Sequence, residues 1–171
     1  MKTGKVWVFG DNINTDLILP GPLLRAPEAE QRDAVFGGNR PGWTKLVGPG
    51  DIIVGGRNFG TGSGRPAARS LRNLDLGCLL AESINGLFFR NAVNFGFLAL
   101  ECPGIHSAFE EGQTAEVSVA TWTVRNLETG RVLPIAPVPD RLLALMLHGG
   151  VFPLLENEGL VAPRTLPTTT G

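Results

Sequence analysis

Hydrophobic positions in this chain come mostly in short, dense runs separated by glycine and proline. Lys5-Val6-Trp7-Val8-Phe9 predicts a first strand, and Gly10 to Asp16 a polar turn after it. Leu17-Ile18-Leu19 is a brief apolar run closed by Pro20-Gly21-Pro22. Pro27 to Phe36 predicts a short helix with Pro27 in its first turn. Gly37 to Gly50 reads as a loop, either mobile or a lid. Asp51-Ile52-Ile53-Val54, Cys78-Leu79-Leu80-Ala81 and Phe97-Leu98-Ala99-Leu100 show no alternation, as expected of strands buried on both faces. Ala67, Ala68, Leu71 and Leu74 fall at helical spacing and predict a helix from Pro66 to Leu74. Ser83 is placed to cap a second helix that runs to Asn94 and stops at Gly96. Strand, helix, strand, helix, strand from 51 to 100 marks an α/β domain, with a mostly parallel sheet flanked by helices.

The last third changes character. Ala115 to Arg125 alternates, Glu128 to Arg131 forms a turn, and Val132 to Ile135 returns, which predicts a C-terminal β-hairpin. Asp140 is placed to cap a helix from Arg141 to His148, ended by Gly149-Gly150. Residues 1–162 read as a single domain and 163–171 as a polar C-terminal tail.

Composition narrows the class. At 171 residues, 43% hydrophobic and 18% charged, the chain is one globular domain with a real core. Fifteen basic against 16 acidic residues leave a formal charge of -1, so no global field recommends a nucleic acid or an anionic membrane as partner. No apolar run approaches the ~18 residues of a membrane span. The N-terminus reaches Asp11 too soon for a signal-peptide core, so a cytoplasmic location is expected. Cys78 and Cys102 sit in apolar surroundings and read as buried thiols rather than a disulfide. With two histidines and no Cys-x-x-Cys, no metal site is visible in this chain, and His106 and His148 read as surface or capping residues.

Candidate chemistry concentrates between Gly55 and Pro66. Five glycines in the loop proper, with Ser63, Arg57 and Arg65, lie between a buried strand and a helix start. Glycines let backbone N–H groups approach a ligand, a helix N-terminus adds donors, and a guanidinium forks onto carboxylate or phosphate. This is an anion site. Gly62-x-Gly64-x-x-Ala67 also matches a relaxed dinucleotide fingerprint, with Glu82 near the spacing of a ribose-binding acid. Against that, the fingerprint does not open directly from the strand that ends at Val54. Gly10 to Asp16, taken alone, is an Asx-rich turn that satisfies its own backbone. Arg90, on an otherwise apolar helix, reads as a half-buried structural charge.

Together, Gly10-Asp11-Asn12-Ile13-Asn14-Thr15-Asp16, Gly50 to Val54 with Gly56-Arg57-Asn58-Phe59-Gly60, and Ala81-Glu82-Ser83 with Phe89-Arg90-Asn91-Ala92-Val93-Asn94 resemble the small subunits of 3-isopropylmalate dehydratase type. These are equivalent to the swivelling β/β/α domain of the aconitase family. The likeness runs from about residue 4 to residue 161 in three ordered motifs. It implies a hydro-lyase of leucine biosynthesis, active only with a large partner subunit that carries a [4Fe-4S] cluster, one iron of which takes the leaving hydroxyl. It also implies Ser63 as the base that removes a proton beside a carboxylate. Arg65, with the Gly62 and Gly64 amides, becomes the carboxylate clamp, and Thr15, Asp16 and Arg25 become further substrate-binding positions. No cofactor is expected on this chain itself.

Three departures from the family pattern stand out. Gly64 replaces a second serine, Pro66 replaces the acid after the arginine, and Gly21-Pro22-Leu23-Leu24 replaces an arginine-bearing segment. They cluster where substrate is expected, while the scaffold segments match. Two readings follow: a changed hydroxy acid (homoaconitate, citramalate or dimethylmalate type) or a non-catalytic assembly subunit. The survival of Ser63 and Arg65 favours the first.

Overall fold

The computed structural model describes residues 1–62 and 64–162. Ser63 and the tail 163–171 lie outside the described residues. Seven strands form one sheet: β1 (Lys2–Val8), β2 (Ile52–Gly55), β3 (Cys78–Ala81), β4 (Ala99–Glu101), β5 (Thr114–Ser118), β6 (Thr123–Asn126) and β7 (Val132–Pro134). Their spatial order is β4-β3-β2-β1-β5-β6-β7. The first four run parallel, in register Val6↔Ile52, Ile52↔Cys78 and Leu79↔Ala99. From β1 outward the pairing turns antiparallel, beginning at Lys5↔Thr114.

Parallel neighbours need crossovers, and the helices supply them. Between β1 and β2 lie α1 (Thr15–Ile18) and α2 (Glu28–Asp33); α3 (Ala67–Arg72) joins β2 to β3, and α4 (Gly86–Phe95) joins β3 to β4. α5 (Asp140–Leu147) and α6 (Val151–Asn157) close the chain. Because successive strand residues point to opposite faces, the sheet divides its apolar side chains between two cores. Trp7, Ile53, Leu79 and Ala81 join Ala68, Leu71, Phe88 and Ala92 on the helix side. Val6, Ile52, Cys78 and Leu80 join Val117, Val124 and Met146 on the other.

Several expectations need correction. The segment Gly37–Gly50 is no lid: Trp43 is buried and packs edge-on against Trp7, Phe9 and Phe36. Leu17-Ile18 belongs to α1, capped by Asn14 Oδ1 accepting from Leu17 N at 2.8 Å. Asn85, not Ser83, caps α4, accepting from Leu87 N at 3.0 Å, while the Ser83 hydroxyl accepts from Asn58 N at 2.9 Å. Gly96 ends α4 in the left-handed region, as its position predicts. The segment 115–125 is two strands. Ser118 Oγ accepts from Thr121 N, Trp122 takes φ +52°, and a three-stranded meander results instead of one hairpin. α6 escapes the sequence pattern because Pro153 lies within it, near its first turn, where a missing N–H costs little.

Candidate active site

Two loops leave the same ends of neighbouring parallel strands and zip together. Phe9 N donates to Val54 O (2.8 Å), Asn12 N to Arg57 O (2.8 Å), Gly60 N to Ile13 O (2.7 Å) and Thr15 N to Thr61 O (2.8 Å). The β1–β2 pairing thus continues, residue by residue, beyond the sheet. Asp11 Oδ1 accepts from Arg57 N at 2.6 Å. Asn12 and Asn58 both adopt left-handed backbone, which asparagine tolerates. Asn58 Nδ2 donates to Asn12 Oδ1 at 3.1 Å. A third loop locks beneath: Phe59 N donates to Ser83 O, Asn85 N to Phe59 O, and Ile84 N to Glu101 Oε1 at 2.7 Å.

Glycine is required twice in this join. Gly60 has φ +79°, and a Cβ there would enter the Phe88 ring. Gly56 sits so close to the Asp11 carboxylate and the Gly10 backbone that no Cβ fits.

The zipper brings Arg65 to the β1 loop. Its guanidinium pairs with the Asp16 carboxylate and lies along Gly21, with Nη1 3.1 Å from where a Gly21 Cβ would stand. The arginine side chain is 19% exposed and Asp16 58%. Thr15 is 2% exposed, with Oγ1 3.0 Å from where Gly62 would carry a Cβ, so it supports Gly62 from beneath. Gly62 and Gly64 are both exposed, and Gly62 has φ +106°. Leu87, on α4, lies beside Gly64, its Cδ2 3.6 Å from a would-be Cβ, and is 42% exposed. Leu87 is thus an aliphatic neighbour of Gly64, and the next residue, Arg65, carries its charge to Asp16 and Gly21. Arg25 is exposed on the turn that follows Gly21–Leu23. Ser63, the expected base, lies outside the described residues.

Three further expectations change. α3 has six residues and starts at Ala67, with Pro66 in the capping position, so few peptide dipoles align there. The positive charge at the junction is chiefly Arg65's own. Both Glu82 oxygens are spent on backbone, Oε2 on Gly104 N (2.8 Å) and Oε1 on His106 N (3.0 Å), which removes the acid that the dinucleotide reading needs. Arg90 is exposed rather than half-buried. The Asn91 side chain, also on α4 and within the Phe89 to Asn94 motif, donates to Arg65 O at 3.5 Å, a role that the motif alone does not assign.

A [4Fe-4S] cluster is held by several cysteine thiolates. This chain has two cysteines, both buried and free, on β3 and just after β4. Burial pushes each thiol up to about 12, aided slightly at Cys102 by the Glu82 charge. No group of three or more His, Cys, Asp or Glu among the described residues is placed to hold a metal. These residues do not fit a cluster.

Sheet, crossovers and joined loops together define the aconitase C-terminal class of domain, whose family model matches residues 30–104. The small subunit 1 of 3-isopropylmalate dehydratase from Methanopyrus kandleri is 40% identical over 91% of this chain and 93% of its own length. The isopropylmalate/citramalate isomerase small subunit of Methanocaldococcus jannaschii is 41% identical over 91% of this chain and 94% of its own. The crystal structure of 3-isopropylmalate dehydratase from that organism superposes with a TM-score of 0.84 at 28% identity, covering 92% of this chain and 95% of the other. The chain belongs to the 3-isopropylmalate dehydratase small-subunit family of aconitase-type proteins.

Proposed function

We propose that this chain is the small subunit of a heteromeric hydro-lyase that interconverts 2- and 3-isopropylmalate by removing and re-adding water, a step of leucine biosynthesis in the cytoplasm. The observation that carries the reading is the Arg65–Asp16 pair at the junction of two loops, in a chain aligned nearly end to end with dehydratase small subunits. Arg65 orients a substrate carboxylate through its fork, and the amides of Gly62 and Gly64 share the negative charge. Thr15 supports Gly62, Asp16 holds Arg65, and Arg25 borders the entrance. Ser63 takes the proton from the carbon beside a carboxylate and returns it during rehydration. A serine alkoxide is unfavourable in water and becomes accessible where fixed donors and a guanidinium stabilise the anion in a closed site.

That closure, and the [4Fe-4S] cluster that the resemblance implies, belong to a large partner subunit. Citramalate is the second substrate to test, because a relative 41% identical to this chain is an isopropylmalate/citramalate isomerase small subunit. The test is anaerobic turnover of a small panel of hydroxy acids by the complex of this chain with its large subunit, followed by the ultraviolet absorbance of the unsaturated acid. Turnover of a hydroxy acid that disappears in Ser63→Ala is the expected result. A stable, cluster-loaded complex that turns over no member of the panel would overturn the proposal in favour of an assembly subunit.

A further inference from the structure

A buried amide braces the turn that follows Gly21. Gln31, on α2, is 2% exposed. Its Nε2 lies 3.1 Å from each of the carbonyl oxygens of Leu23, Leu24 and Ala26. Its Oε1 accepts from Arg69 Nη2 at 3.0 Å, and Arg69 Nη1 pairs with Glu28 at 3.0 Å. Two N–H groups are thus shared among three carbonyls, and the side-chain oxygen is occupied by a charged donor from α3.

The clamped turn is continuous with Gly21, the residue against which the Arg65 guanidinium lies. Within the turn Leu23 N donates to Pro20 O, Leu24 N to Gly21 O and Ala26 N to Leu23 O, so the carbonyls of Leu24 and Ala26 are the ones that need a donor from outside it. Gln31 is that donor. We infer that Gln31 is a positioning residue, one that fixes the 20–26 turn against Arg65 and so sets how tightly the site holds its hydroxy acid. The kinetic part of this inference rests on the function proposed above.

Gln31→Met keeps the side chain's length and removes its donors. In the complex with the large subunit, amide hydrogen exchange in residues 21–26 is expected to speed up. KM is expected to rise about tenfold with kcat little changed, the signature of lost binding common to ground and transition states. Arg69→Lys, which cannot bridge Gln31 and Glu28 with one planar fork, gives a milder shift of the same kind and serves if Gln31→Met does not fold. Unchanged exchange in 21–26, or faster exchange with an unchanged KM, would overturn the inference. A wild-type complex inert towards every hydroxy acid would defeat the functional reading alone, because the exchange measurement still decides whether Gln31 clamps the turn.

Discussion

The guanidinium of Arg65, on the loop that leaves β2, is paired with the carboxylate of Asp16, in α1 at the end of the loop that leaves β1. The pair forms only because the loops after β1 and β2 continue the strand pairing. Asp16→Asn keeps an acceptor of the same shape and removes its charge. The arginine then sits less firmly, and kcat/KM of the complex is expected to fall about tenfold. Arg65→Lys retains the positive charge and loses the fork, so its loss should be larger. Steady-state kinetics of the two variants check the order, and an unchanged kcat/KM in Arg65→Lys would remove Arg65 from the substrate clamp.

Gly60 tests the join itself. Alanine there would need φ near +79° and would push its Cβ into the Phe88 ring, which packs edge-on against Phe59. Strain and overpacking each cost roughly 1–3 kcal/mol. Gly60→Ala is therefore expected to lower stability by several kcal/mol in urea unfolding of this chain. A change in midpoint within experimental error would show that the loop relaxes without cost.

Much of this arrangement is legible in the pattern of residues alone. The unalternating runs at Ile52–Val54 and Cys78–Ala81 mark central parallel strands because burial on both faces removes the need for polar positions. Gly96 marks the end of α4 because few other residues take a left-handed cap. What stays hidden has a common cause in long-range pairing. Gly10 to Asp16 resembles a self-satisfied turn, yet its hydrogen-bonding groups are largely met by residues 56–61. Ser83 has the position of a cap and instead braces Asn58. Glu82 has the spacing of a ribose ligand and instead holds the turn at Gly104 to His106. Gln31, a polar residue inside an amphipathic stretch, gives no signal, because its partners are backbone carbonyls whose orientation only the folded turn reveals.

Gly64 allows a sharper test of the departures from the family pattern. A Cβ on Gly64 would meet Leu87 at 3.6 Å, ordinary contact distance. Gly64→Ser is thus accommodated, with a stability change expected to stay within about 0.5 kcal/mol. The added hydroxymethyl group takes up space beside Leu87. The ratio of kcat/KM for 3-isopropylmalate to that for citramalate should fall, and competition between the two substrates measures it directly. A constant ratio would place the alkyl branch away from Leu87.

The two thiols make a prediction about pH. Cys78 and Cys102 are raised from 9.0 to about 12 in the folded chain, first by burial. A folded value above the unfolded one means that the neutral thiol favours the fold. This contribution is complete below pH 9, and it is lost as pH climbs from about 9 to about 12, because the unfolded chain releases its protons first. Each thiol should tilt the stability curve by about 1.4 kcal/mol per pH unit across that window. Urea midpoints at a series of pH values measure the slope, and Cys78→Ala should remove roughly half of the part due to thiols. A second readout is chemical. The native chain at pH 8 should resist a thiol reagent, since the thiolate is the nucleophile, whereas the chain in urea should titrate both cysteines. Rapid modification of either thiol in the native chain, with secondary structure intact, would contradict their burial.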